Sequence, residues 1–335
     1  MSTPALGIPP LAAVPGWRQL DYLPVSLFGS VMGLTGLSVA WRLASARYGA
    51  PHVFADAIGW VAVAAFVALT LGYGVKLGTA PDAVRAEFHH PIAGNLFGTF
   101  LISLLLLPIV LAPLSLTLAR AMWGLGAVGM VLFAWLMVSR WMSDRQQVAH
   151  ATPAWIIPVV GILDVPLALP ALGLPPLHLV MVLALAVGLF FAVPLFTLIF
   201  SRLVFEPPLP DALKPSLLIL VAPFSVGYST YAVTSGQHDL FAQALYMLML
   251  FVLAVLLGQL RYLVGCCPFR VSWWAVSFPL AASAIAALRF AVAEPGWLTD
   301  AIALGLLALA TLAIAGLLAR TLFGLARGEL RTLSS

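Results

Sequence analysis

Ten stretches of this chain are apolar for long enough to cross a bilayer, and that feature excludes most folds. They run 24–42, 55–75, 92–112, 117–140, 155–171, 177–203, 214–235, 239–262, 272–293 and 297–320. A helix needs roughly 20 apolar residues to span the hydrocarbon core. There the backbone must satisfy its own hydrogen bonds. The 335 residues are 62% hydrophobic and 8% charged, with a mean hydropathy of +1.07. A soluble domain carries about a quarter charged residues. The chain therefore reads as an all-α integral membrane protein.

Proline orders the ten stretches into five helical hairpins with a repeat of about 60 residues. The first member of each hairpin holds proline at membrane depth: Pro24, Pro108, Pro158 with Pro166, Pro223 and Pro279. The second members are unbroken except at Pro194. Proline removes a backbone donor and clashes with the preceding turn. Within a bilayer, such backbone survives only where it is buried in protein or lines a cavity. Five kinked odd helices lining a central pore, with five even helices outside, is the expected architecture. The fifth stretch, with Pro158, Pro166 and Pro170, is expected to be the most distorted.

Lysine and arginine set the orientation. One side of the alternating topology holds only Arg42, Arg47, Arg120 and Arg289 of the 16 basic residues. Both termini are therefore expected in the cytoplasm, as tails 1–23 and 321–335 around a single domain, 24–320, in a bacterial-type inner membrane. The N-terminal segment has no basic region before an apolar run, so no cleaved signal is expected. The net charge of +4 is spread over loops and gives no nucleic-acid surface. The adjacent Cys266 and Cys267 form no disulfide framework. The six histidines fall at segment ends or in loops, so no haem, zinc or other cofactor is expected. His89 and His90, before Pro91, are expected to start the third helix.

Four groups of segments carry a resemblance. The first is Pro24 through Phe28, Gly29 and Gly33 to Trp41. The second is His89-His90-Pro91 through Asn95 to Phe97. The third is Thr152-Pro153-Ala-Trp155 through Pro158 to Gly161. The fourth joins Pro207–Pro210, Lys214-Pro215 and Ala222-Pro223-Phe224 with Trp273-Trp274 through Phe278-Pro279. Together, from about Pro24 to Arg320, they resemble the tellurite-resistance and dicarboxylate transporter family, which includes the plant slow anion channels. The resemblance implies ten helices with five-fold pseudosymmetry, a pore in each subunit and a homotrimer in the lipid bilayer. It also implies a phenylalanine plug in the ninth helix, which by motif position is Phe278.

An anion path needs no buried cation, because binding must stay weak enough for release. Candidate lining residues are Phe28, Gly29, Gly33, Asn95, Phe97, Gly161, Phe224, Gly227 and Pro279, with hydroxyls such as Thr99, Ser103, Ser225 and Ser277. Small residues serve helix packing equally well. Asp164 is the anomaly, since a charge at bilayer depth costs roughly 2.5–3.5 kcal/mol on insertion scales. It could pair with Arg289, relay protons or face water near the outer mouth. The expected function is a small-anion channel or transporter gated by Phe278. A proton-coupled carrier of dicarboxylate, sulfite or tellurite is the alternative. An enzyme built on His89, His90 and Asp164 is disfavoured, because these residues fall at different depths.

Overall fold

A computed structural model describes residues 20–175, 177–260 and 269–334. Arg18, Arg261, Cys266 and Cys267 lie outside the described residues. Ten helical spans are long and apolar enough to cross a membrane: α1 Val25–Tyr48, α2 His52–Thr79, α3 Ala93–Leu111, α4 Leu116–Ser143, α5 Pro153–Leu172, α6 His178–Phe205, α7 Lys214–Ser235, α8 Leu240–Gln259, α9 Val271–Ala293 and α10 Trp297–Ala326. No strand occurs among the described residues. The chain is an all-α, multi-pass membrane protein.

The odd and even spans divide by burial. In their most apolar stretches, 67–83% of odd-span residues are buried, against 17–39% in the even spans. Each odd span packs on the even span that follows it. The odd spans also touch one another in order, α1 to α3 to α5 to α7 to α9, and α9 closes on α1. The result is an inner ring of five helices with the even helices outside. Even-span side chains such as Leu125, Trp135, Phe190, Phe251 and Leu312 are exposed, as suits contact with lipid tails. Below, the near side is the end where odd spans begin, and the far side is where they finish.

The prolines act differently from simple kinks. Every odd span opens as a 3-10 helix and then changes to α, at Phe28, Gly98, Ile157, Ala222 and Ser277. Pro223 and Pro279 sit in the first α turn after the change. Only Pro108 and Pro194 lie well inside α-helix. The fifth span is the most distorted: it returns to 3-10 from Gly161 to Ala168. In that geometry Pro166 has no N–H to give the carbonyl three residues back. The Thr230 hydroxyl of α7 donates to that carbonyl, Leu163 O, and Trp123 Nε1 donates to Val165 O at 2.9 Å. The distorted backbone is thus satisfied by its neighbours. Thr230→Val keeps the shape and deletes the donor, leaving a buried carbonyl short of a partner. Thermal denaturation in detergent is expected to show a loss of about 1–3 kcal/mol.

Two details depart from the sequence expectation. The loop after α2 contains a short helix, Pro81–His89. Its Glu87 accepts hydrogen bonds from Lys76 Nζ at 2.7 Å, Tyr73 Oη at 2.9 Å and the Val25 N–H at 2.7 Å. Lys76 Nζ also donates to Leu23 O at 2.7 Å. This buried pair pins the start of α1 to the end of α2. At the other end of the chain, α10 continues to Ala326, and Leu333 of a terminal helix, Leu330–Ser334, is buried beside Gly324. Residues 321–334 are thus largely helical, with Leu333 packed against the end of α10. Of the two histidines expected to start the third helix, His89 instead ends the short helix Pro81–His89, whereas His90 precedes the span that begins at Ala93 and its Nδ1 accepts the N–H groups of Ile92 and Ala93 at 3.2 and 3.1 Å.

Candidate functional site: two cavities on the ring axis

Two cavities lie inside the ring, and all five odd spans contribute to each. The near cavity, about 120 Å³, is walled by the first halves of the odd spans and short flanking segments. The far cavity, about 210 Å³, is walled by their second halves. No even-span residue lines either one. Phe278 of α9 and Val226 of α7 are the two residues shared by both linings. The Phe278 ring lies beside Gly36 of α1, where a Cβ would stand in ordinary contact, 3.7 Å, from ring atom Cδ2 and at a tight 3.0 Å from the Ala281 Cβ. Gly36 thus lets α1 approach α9 closely at this level.

The walls are mostly apolar, and their charges separate. The near cavity holds Asp164, 1% exposed, whose Oδ1 has no hydrogen-bond partner. The far cavity holds Arg42 and Arg289. Arg42 pairs with Asp56 at 3.1 Å. Arg289 has no acidic partner among the described residues, and its Nε is buried without a hydrogen bond. The suggested Asp164–Arg289 ion pair is not formed, because the two residues line different cavities. Asp164 falls near the middle of α5, whereas Arg289 lies in the last turns of α9.

The other candidates divide between lining and packing. Gly29, Gly161 and Pro279 line the near cavity, as does Thr99. Gly33, Asn95, Gly227 and the phenylalanines Phe28, Phe97 and Phe224 line neither. A Cβ on Gly33 would overlap the Ser277 side chain, and one on Gly227 would come within 2.9 Å of Leu189. Both glycines serve close helix approach. Phe28 joins Phe66, Tyr73 and Phe100 edge to face. Phe97 meets Tyr73 and Phe88, and Phe224 meets Phe196 of α6. Asn95 turns its amide back onto Pro91 O and Ile92 O. Aromatic and glycine content alone does not separate an axial face from a packing face. Sequence reasoning also misses Gly36, Val226 and Arg42, which carry no motif beyond lying on odd spans.

A closed ring of five interrupted helices inside five unbroken ones encloses both cavities, and defines a polytopic, all-α membrane protein. The chain belongs to the family described as "Voltage-dependent anion channel" (SLAC1), whose model matches residues 22–322. It is 29% identical over 91% of its length to the S-type anion channel SLAH3 of Arabidopsis thaliana, covering 49% of that protein. It is 25% identical to the guard cell S-type anion channel SLAC1 of the same plant, covering 91% of this chain and 56% of that one. It is also 27% identical to the tellurite resistance protein TehA homolog of Haemophilus influenzae, covering 80% of this chain and 81% of that one. The chain thus spans about half the length of these two plant channels.

Proposed function

We propose that the chain conducts small anions along the ring axis, with Phe278 as the barrier between the two cavities. The observation that carries this reading is the sharing of Phe278 by both linings. Phe278 is the larger of the two shared side chains, Val226 of α7 being the other, so its ring is the main partition between the cavities. An apolar constriction of this kind stops ions by dewetting. The relatives named as anion channels support the choice of ion.

Arg289 gathers anions on the far side without trapping them. It is the one cation of the far cavity without an acidic partner among the described residues, and it lies to one side of Phe278 rather than at it. Arg289→Gln is expected to lower chloride flux roughly tenfold at low salt, the effect shrinking as salt screens the charge. Current–voltage curves at two ionic strengths check this.

The charge bias of the loops supports a near side facing the cytoplasm, with both termini there, in a bacterial-type inner membrane. Homotrimers, each subunit keeping its own path, complete the reading. The test is reconstitution in liposomes with an anion series from chloride and nitrate to sulfite and a C4-dicarboxylate. Potassium-driven flux that falls with anion size, together with unitary currents in a planar bilayer, is the expected result. Saturating flux without unitary currents would instead favour the carrier reading, to which Asp164 in the near cavity lends weight.

A further inference from the structure

Three polar groups on the wall of the near cavity are buried without a partner: Asp164 Oδ1, Thr152 Oγ1 and Ser272 Oγ. Buried polar atoms are almost always satisfied by protein or water. A buried carboxyl left without a partner on the wall of a cavity therefore points to something that completes it. A bare carboxylate is a poor wall for an anion, because two like charges at close range are not both held.

We propose that Asp164 is a proton site of the path, and that an anion occupies the near cavity only while one proton is held between it and the Asp164 carboxyl. This rests on the reading of the axis as an anion path. The proton comes from water on the near side and binds one carboxyl oxygen. The carboxyl O–H then donates to the anion. An anion without an O–H, such as chloride or nitrate, needs the proton on Asp164. A hydrogen-bearing oxyanion brings its own and donates it to the carboxylate.

Among the described residues of the spans packed on α5, no cation pairs with Asp164. Among the spans packed on α5, α3 has no charged side chain. On α4, Arg120 donates to Leu172 O and Gly173 O, and Arg140 donates to Phe88 O and His89 O. On α6, His178 and Arg202 sit at opposite helix ends and neither pairs with Asp164. On α7, Lys214 pairs with Asp211, Tyr228 turns to His238 and Tyr231 to Asp239. Across the ring, Arg42 and Arg289 line the other cavity. The far cavity has no carboxylate or histidine on its wall, so the proton has no acceptor beyond Phe278. It stays on Asp164 and licenses passage without travelling with a halide.

The experiment uses the full chain in liposomes, with equal pH on both sides, reading chloride and nitrate flux. Wild-type flux is expected to fall by about tenfold per pH unit on the alkaline side of the carboxyl titration. Asp164→Asn is expected to be flat at the acid-side level, and Asp164→Glu to keep a pH dependence at a shifted position. A flat wild-type profile, or a wild-type slope retained in Asp164→Asn, overturns the proposal. Asp164→Ser replaces Asn if that variant is not monodisperse in detergent. A second measurement is independent of transport: nitrate added to detergent-purified protein in weak buffer should take up protons, and Asp164→Asn should take up none. Proton uptake without flux in any variant would overturn the channel reading and leave the proton site standing. Flux without pH dependence or uptake would do the reverse.

Discussion

Phe278→Ala is expected to raise anion flux by at least about tenfold, a barrier lowered by ~1.4 kcal/mol or more. The near and far cavities already extend from the two ends of the ring, and Phe278 is buried where their linings meet, at 9% exposure. Its neighbour on the adjoining span α1 is Gly36, which has no side chain to fill the space left behind. Val226, the other shared residue, is smaller and attached to a different span, so it cannot take the place of the ring. Phe278→Leu should fall between wild type and alanine, because it keeps an apolar obstacle of smaller reach. Stopped-flow anion efflux from liposomes reads all three. Loss of a buried phenylalanine costs about 3–5 kcal/mol in a well-packed core. Here the ring borders two cavities, so the cost should sit at the low end, and elution as a monodisperse species checks that the variants are folded.

The second large effect concerns stability. Lys76→Met is expected to destabilise the protein by about 3–5 kcal/mol, because it strands the Glu87 carboxylate in a buried site. The Lys76 side chain is 4% exposed and that of Glu87 13%, with 2.7 Å between the charged atoms. Glu87 would keep the Val25 N–H and the Tyr73 hydroxyl but lose its only cation. Lys76 would also release Leu23 O, so the entry into α1 loosens from two directions. The double variant Lys76→Met/Glu87→Gln should recover part of the loss, since the glutamine carries no charge, its Oε1 can accept the Val25 N–H and its Nε2 can donate to the Tyr73 hydroxyl oxygen. Thermal inactivation in detergent for the wild type and both variants measures the difference. A Lys76→Met protein as stable as wild type, or a double variant worse than the single, would show that the pair is not what holds this corner.

The division into inner and outer helices is legible in the amino-acid sequence. Proline at membrane depth needs protein around it, and the odd stretches collect Pro24, Pro108, Pro158, Pro166, Pro223 and Pro279. What those prolines do is not legible there. The change from 3-10 to α in each odd span depends on partners from elsewhere, such as Thr230 reaching Leu163 O from α7. Span ends are misplaced where polar residues continue a helix. The first helix runs six residues past 42 because Arg47 and Tyr48 are both held by Asp300 of α10. Glycine is ambiguous for a physical reason: lacking a side chain, it suits a cavity wall at Gly29 and a helix contact at Gly33 alike. Asp164 stands out in the sequence because a lone carboxyl among apolar residues has no bland explanation. Its cavity cannot be assigned from sequence, since that follows from the phase of a span that is mostly 3-10.

The central claim is that anions travel through the ring and past Phe278, and blocking that axis tests it most directly. Ser229 lines the far cavity and is 2% exposed. In a Phe278→Ala background with Cys266 and Cys267 replaced by serine, Ser229→Cys offers one thiol on the path. Labelling with a bulky thiol reagent, stoichiometry read by mass spectrometry, is expected to abolish chloride flux, and reduction of the mixed disulfide should restore it. Full labelling with undiminished flux would place the anions somewhere other than the axis of the ring.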